Sequence, residues 1–168
     1  GMGRILLAYD KELRRRVAMK VMLEPGGGSS RFLAEAQATA QLEHPNICPV
    51  YDLGVDLEGR VFFTMKLVKG RSLQAVLNAL KKGTPEVVKD YPLPTLLTIF
   101  RKVCDAMAFA HSKRILHRDL KPDNIMVGEY GEVLVMDWGL AKTLGAEEEP
   151  GDASNSKSAF TDAGLTME

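Results

Sequence analysis

Residues 115–127, ILHRDLKPDNIMV, set the first limit on how this chain can fold. A histidine, two cations, two carboxylates and an amide are crowded between short apolar runs. Pro122 stiffens the stretch and argues against a helix continuing through it. The polar cluster is therefore expected on a loop, with buried chain following it. Asp119, Lys121 and Asn124 fall within six positions of one another, and that crowding needs a reason.

Composition narrows the reasons available. The 168 residues suit one compact domain, or two small lobes sharing a cleft. Apolar residues make up 45% of the chain, ample for a core, and 22 basic side chains balance 22 acidic ones. A formal charge of zero gives no general attraction to nucleic acid or to an anionic membrane. The basic run KELRRR, Lys11 to Arg16, lies between two strand-like segments and reads as a solvated hairpin turn. Cys48 and Cys104 lie far apart in apolar surroundings and read as buried thiols in a reducing compartment. No apolar run approaches the roughly 20 residues a membrane-spanning helix needs, and no signal peptide opens the chain. The expectation is a cytoplasmic segment, with a membrane anchor elsewhere in a longer parent left open.

Periodicity divides the chain near Val68 to Gly70. Before that junction, Arg4–Asp10, Arg16–Met22, Val50–Val55 and Val61–Lys66 read as short strands. The stretch SSRFLAEAQATAQLEHPNI between the second and third reads as a helix, capped by Ser29 or Ser30 and ended at HPN. After the junction, Ser72 can cap a helix through about Leu80, and KKGTPEVVKDYPLP reads as a polar connection. A long helix is expected from about Thr95 to Ser112, with Leu96, Phe100, Val103, Met107 and Ala110 as its apolar stripe. Strands follow at Ile125–Val127 and Val133–Met136 around an EYGE turn, and the segment from Thr143 onward reads as a mobile loop.

Four separated places carry chemistry. In RRVAMKVM, strand alternation puts Ala18 and Lys20 on one face, and Val17, Met19 and Val21 on the other. A small residue beside a long cation suits a flat ligand over Ala18 and an anion at the ammonium, although an edge-strand lysine has the same appearance. Phe32, Glu35, Thr39 and Leu42 share one helix face. A carboxylate in that partly apolar stripe needs a partner to offset its lost water, and Lys20 is the candidate. Asp119 can accept a hydroxyl proton, Lys121 can neutralise a phosphoryl group, and Asn124 offers an oxygen suited to Mg2+. Asp137 ends the apolar run EVLVM and opens DWGL, where it reads as a second metal ligand at a turn. A structural turn with capping aspartates would account for Asp119 or Asp137 singly. It does not account for both together with Lys121 and Asn124.

The ordered set VAMK, Glu35, HRDLKPDN and DWG resembles the signature of the protein kinase family, most closely its eukaryotic-like (Hanks-type) bacterial serine/threonine branch. That resemblance implies an α+β, protein-kinase-like two-lobed fold, incomplete here. Residues 1–68 would form an N-terminal lobe of antiparallel sheet with one helix, and 69–168 part of a mainly helical C-terminal lobe. It implies ATP- and Mg2+-dependent phosphoryl transfer to serine and threonine hydroxyls of protein substrates. Lys20 would hold the α- and β-phosphates and pair with Glu35. Asp119 would orient the hydroxyl and accept its proton, and Lys121 would steady the γ-phosphate. Asn124 and Asp137 would bind Mg2+. Ile5, Ala18 and Met126 match the apolar sandwich around adenine, and Met65 the gatekeeper. The backbone of Lys66 and Val68 would meet the adenine edge. Arg118 implies control by a phosphate on the activation segment, where Ser154, Ser156, Ser158, Thr161 and Thr166 are candidates.

The pattern departs from the family in places. GMGRI matches only the end of the glycine-rich loop, with Gly3 at its last glycine, and LTME precedes any A-P-E element. Weak or absent activity is expected of this stretch alone, with apolar surface exposed on the long helix. Trp138 replaces the usual phenylalanine, and Lys66 stands where an acidic residue is common. The alternative from another class is a pseudokinase, a nucleotide-binding or scaffolding module without turnover.

Overall fold

A computed structural model describes residues 3–23, 29–143 and 165–167. The first half holds β1 (Gly3–Asp10), β2 (Arg15–Met22), α1 (Ser29–Ala40), β3 (Val50–Val55) and β4 (Val61–Lys66). After it come β5 (Gly70–Ser72), α2 (Leu73–Lys81), α3 (Pro85–Asp90), α4 (Leu93–Ser112) and β6 (Ile115–Leu116). A 3-10 turn at Pro122–Asn124 leads into β7 (Ile125–Gly128), then β8 (Val133–Val135), β9 (Lys142–Thr143) and β10 (Leu165–Met167). The α+β arrangement is the expected one, an antiparallel sheet with a single helix followed by a mainly helical part.

The main sheet runs β10-β1-β2-β4-β3, with every pair antiparallel. Alternation along β2 sorts its side chains as expected. Ala18 and Met22 pack with Phe32 and Ala36 of α1 and with Phe63 and Met65 of β4. Val17, Met19 and Val21 pack with Ala8 and Phe62 on the other face. Phe32 is fully buried, its ring 5.1 Å from that of Phe63, and this contact fixes α1 on the sheet. One difference concerns the chain's end. Residues 69–168 were expected in the second lobe, yet Leu165–Met167 pair with Ala8–Asp10 in the first. The outer edge of β1 offers open backbone groups to any extended segment, and sequence pattern cannot say which segment takes them. The serines at 154, 156 and 158 and Thr161 lie outside the described residues.

In the second half, Ser72 caps α2 by accepting from Ala75 N–H at 3.2 Å. The connection expected at residues 81–94 contains α3, which starts on Pro85 and buries Val87. The stripe of α4 also differs from expectation. Ile99, Val103, Ala106 and Ala110 are buried, whereas Phe100 is 66% exposed beside Leu93 and Leu97. Both faces of this helix are apolar, so periodicity alone could not choose between them. The buried face packs on Ile115, Val127, Val133, Val135 and Trp138. Gly70 permits β5 to approach β7, because a Cβ there would stand 2.1 Å from Val127 O.

Backbone bonds stitch the two halves together. Cys48 N–H donates to Val135 O (3.1 Å) and Val135 N–H to Asn46 O (2.8 Å). Asn46 Nδ2 donates to Val133 O at 2.9 Å. The loop after α1 is thereby clamped to β8, which sets α1 over the residues that follow β8.

Candidate active site

Lys20 projects from β2 toward α1, and its Nζ lies 2.5 Å from Glu35 Oε1. Glu35 is 4% exposed, between the buried Phe32 and Thr39 on the predicted helix face. Burial pushes its carboxyl above the ordinary value, and the hydrogen bond from Lys20 opposes that shift. The same ammonium stands 3.5 Å from Asp137 Oδ1. One cation thus joins a strand, a helix and a turn more than a hundred residues away in sequence.

The loop of residues 117–124 is built around a buried histidine. His117 Nε2 donates to Met136 O (2.9 Å), and Nδ1 accepts from Asp119 N–H (3.3 Å), which selects the neutral Nε2–H tautomer. Asn124 Nδ2 donates to Asp119 O (2.9 Å) and to Asp119 Oδ2 (3.2 Å). Lys121 Nζ lies 2.7 Å from the same carboxylate oxygen. That hydrogen bond holds Asp119 below the ordinary carboxylate value and raises Lys121 in return. Met136 N–H donates to Asn124 O (2.8 Å), so the strand before Asp137 is tied to the loop before β7. Arg118 and Asp137 both hold left-handed backbone, at φ 64° and 58°. Such positions persist only where neighbours over-determine them, and Arg118 Nε donates to Leu140 O.

These groups wall one cleft of about 470 Å³. Lys20, Glu35, Asp119, Asn124 and Asp137 supply its polar side, and Gly3, Ile5, Met65 and Met126 its other side. Four expected site residues lie off this wall. Ala18 is buried beside Met65, its partner across the sheet. Lys121 turns back onto Asp119. Lys66 donates its N–H to Pro49 O (3.2 Å), and its ammonium lies 3.7 Å from Glu132. Val68 packs at the edge of the cluster under the sheet. Sequence reasoning did not assign Asp123, Met136 or Leu140 to the cleft, nor the histidine hub to its support. Their only signal was adjacency to assigned residues. A larger depression of about 780 Å³ lies between α4 and the β7–β8 hairpin, away from this polar constellation.

Residues 1–162 match the family described as protein kinase domain. This chain belongs to the protein kinase family. It is 42% identical over 158 residues to serine/threonine-protein kinase PknD of Protochlamydia amoebophila (strain UWE25), covering 89% of this chain and 16% of that kinase. The PknD of Chlamydia trachomatis serovar L2b (strain UCH-1/proctitis) is 42% identical over 155 residues, or 88% of this chain and 16% of its own. That of Chlamydia pneumoniae is 36% identical over 174 residues, 99% of this chain and 19% of its own. The chain thus spans less than a fifth of the length of these curated relatives. The resemblance to a bacterial kinase of the eukaryotic-like type agrees with the family and with these relatives.

Proposed function

We propose that the cleft is the nucleotide and phosphoryl-transfer site of a Mg2+- and ATP-dependent serine/threonine protein kinase. The supporting observation is the convergence of Lys20, Glu35 and Asp137 on the cleft that Asp119 and Asn124 also line. Lys20, fixed by Glu35, meets the nucleotide phosphates. Asp119 is kept ionised by Lys121, so it can take the proton of a serine or threonine hydroxyl, and Lys121 sets a positive charge beside the γ-phosphate. Gly3 and Ile5 cover the nucleotide. Ile5, Met65 and Met126, which line the cleft, enclose the base, with Ala18 packed behind Met65. Lys66 and Val68 stand off this wall, and the Lys66 carbonyl accepts from Cys48 Sγ (3.8 Å).

The donor set suits Mg2+. With its Nδ2 spent on Asp119, Asn124 keeps its amide oxygen for a cation, and the Asp137 carboxylate is half exposed. Among the described residues no cluster of three or more acidic, histidine or cysteine side chains forms a cage. Mg2+ is commonly held this way, by one or two carboxylates together with substrate phosphates. When bound it neutralises charge on the transferring group.

Among the described residues no helix is long and apolar enough to cross a membrane; both cysteines are free thiols, Cys48 buried as expected but Cys104 exposed on α4, contrary to expectation. A reducing cytoplasmic location fits both. Protein substrates would meet the exposed side of Asp119.

The test is transfer from ATP to a protein hydroxyl by the full-length protein. Asp119→Asn is expected to lower turnover about 10²- to 10⁴-fold with nucleotide binding retained. Binding without turnover in the unaltered protein would identify a nucleotide-binding scaffold instead.

A further inference from the structure

Lys11, Glu12, Leu13 and Arg14 join β1 to β2, and all four are exposed. With Arg15 and Arg16 they set four cations against one carboxylate, in a chain whose formal charge is zero. Hydrogen bonds hold this turn in one shape. Asp10 Oδ1 accepts from Leu13 N–H at 2.9 Å, and Arg15 Nε donates to Asp10 Oδ2 at 3.3 Å. The Arg15 guanidinium also lies 4.0 Å from the centre of the Tyr51 ring. The bond from Leu13 N–H is the largest cause holding the Asp10 carboxyl below its ordinary value. Arg14 completes the turn in left-handed backbone, at φ 50°, which is uncommon for a residue with a side chain.

Leu13 stands in this turn 65% exposed. A lone exposed leucine is ordinary on a protein surface. The setting of Leu13 is not, since its own N–H fixes it beside Arg14 and two residues from Lys11. An apolar side chain among long cations matches the boundary of an anionic bilayer. Acyl chains take up the apolar group there, and lipid phosphates and carboxylates meet the cations. An acidic peptide or a nucleic acid would satisfy the cations and leave the leucine in water. The turn is also remote from the cleft, which Gly3, Ile5 and Lys20 line toward the other end of the β1–β2 ladder. The five residues from Ile5 to Asp10 span about 17 Å.

We propose that the β1–β2 turn is a membrane-contact site. Leu13 enters the headgroup layer of an anionic bilayer, and Lys11 and Arg14 meet its charged headgroups. The contact is peripheral and reversible, each cation strengthening it about fivefold. The cleft, at the far end of the strands, stays open while the turn is docked.

The experiment uses the full-length protein with the environment-sensitive fluorescent amino acid Anap at position 13. This probe reports on the turn itself, whatever the rest of the protein does at a membrane. With vesicles of equal parts phosphatidylcholine and phosphatidylserine, its emission should shift to the blue. A lipid spin-labelled near the headgroup should quench it. Vesicles of phosphatidylcholine alone should do neither. Lys11→Gln with Arg14→Gln should weaken the vesicle titration roughly 25-fold, and Glu12→Gln should strengthen it. Phosphoryl transfer without vesicles should be unchanged in both variants, because none of these residues lines the cleft. No shift with the anionic vesicles, an equal shift with phosphatidylcholine alone, or a titration indifferent to the Lys11 and Arg14 changes overturns the proposal. An equal shift with poly-glutamate or a DNA duplex overturns it too, since the turn would then be a general site for polyanions.

Discussion

Asp119 and Glu35 are both carboxylates of one cleft, and their surroundings push them in opposite directions. The Lys121 hydrogen bond is the largest cause lowering Asp119. Its folded value lies below the unfolded one, so ionised Asp119 adds stability above about pH 4, lost as the pH falls through the lower folded value. Lys121→Met is expected to return its titration toward the ordinary carboxylate value of about 3.9. A carbon NMR titration of the Asp119 carboxyl reads this, and an unmoved midpoint would refute the assigned cause. Glu35 is raised, chiefly by burial, so its contribution favours the folded state at low pH and fades as the pH rises through its folded value. Lys20→Met removes the cation that offsets this burial. It should cost about 3–5 kcal/mol at neutral pH, and less in acid, where Glu35 takes a proton instead. Urea unfolding at two pH values tests this, and an equal cost at both would count against it.

Among the elements, α4 makes the sharpest prediction because both its faces are apolar. Ile99 is 4% exposed and Phe100 is 66% exposed, although both are large hydrophobics and neighbours in sequence. Ile99→Ala should cost about 2–5 kcal/mol, and Phe100→Ala no more than about 0.5 kcal/mol. Equal costs in denaturant unfolding would mean that the helix is rotated from the position described. The open face with Leu93, Leu97 and Phe100 also explains why aggregation is expected of the 168-residue chain. Leu97→Lys with Phe100→Glu should raise the concentration at which light scattering begins. The helix starts and stops were largely local properties. Ser72 capped α2 where expected, whereas α3 was missed because its single buried residue, Val87, gives no periodicity to read.

Taken whole, the molecule depends on a few bonds that pass between its halves. Asn46 Nδ2 to Val133 O helps clamp the loop after α1 to β8, just before Asp137. Asn46→Ala should cost about 0.5–1.5 kcal/mol of stability. Phosphoryl transfer by the full-length protein should fall further than that loss explains, because α1 and the Asp137 turn lose their common register. Thermal unfolding and turnover measured on one preparation check it, and turnover that merely tracks the folded fraction would refute it. The Lys66–Glu132 pair also crosses between the halves, but both side chains are more than a third exposed. Solvent screening leaves such a pair about 0–1 kcal/mol, so its loss should be close to silent.

Lys20, Glu35, Asp119, Asn124 and Asp137, on the polar side of the cleft, could be picked out before any coordinates, whereas Asp123, Met136 and Leu140 could not. HRDLKPDN, VAMK and DWG carry their chemistry in residue type and local spacing, and β2 and α1 carry theirs in alternation and helical period. Local rules extend over a few residues, because they express backbone sterics and the exposure of one face to water. What lay beyond them needed contacts between distant segments. Examples are the 3.5 Å approach of Lys20 to Asp137, the face of α4 that is buried, and the pairing of β10 with β1. Each of these depends on which surface arrives opposite, and a surface without its partner leaves no mark in the sequence that bears it.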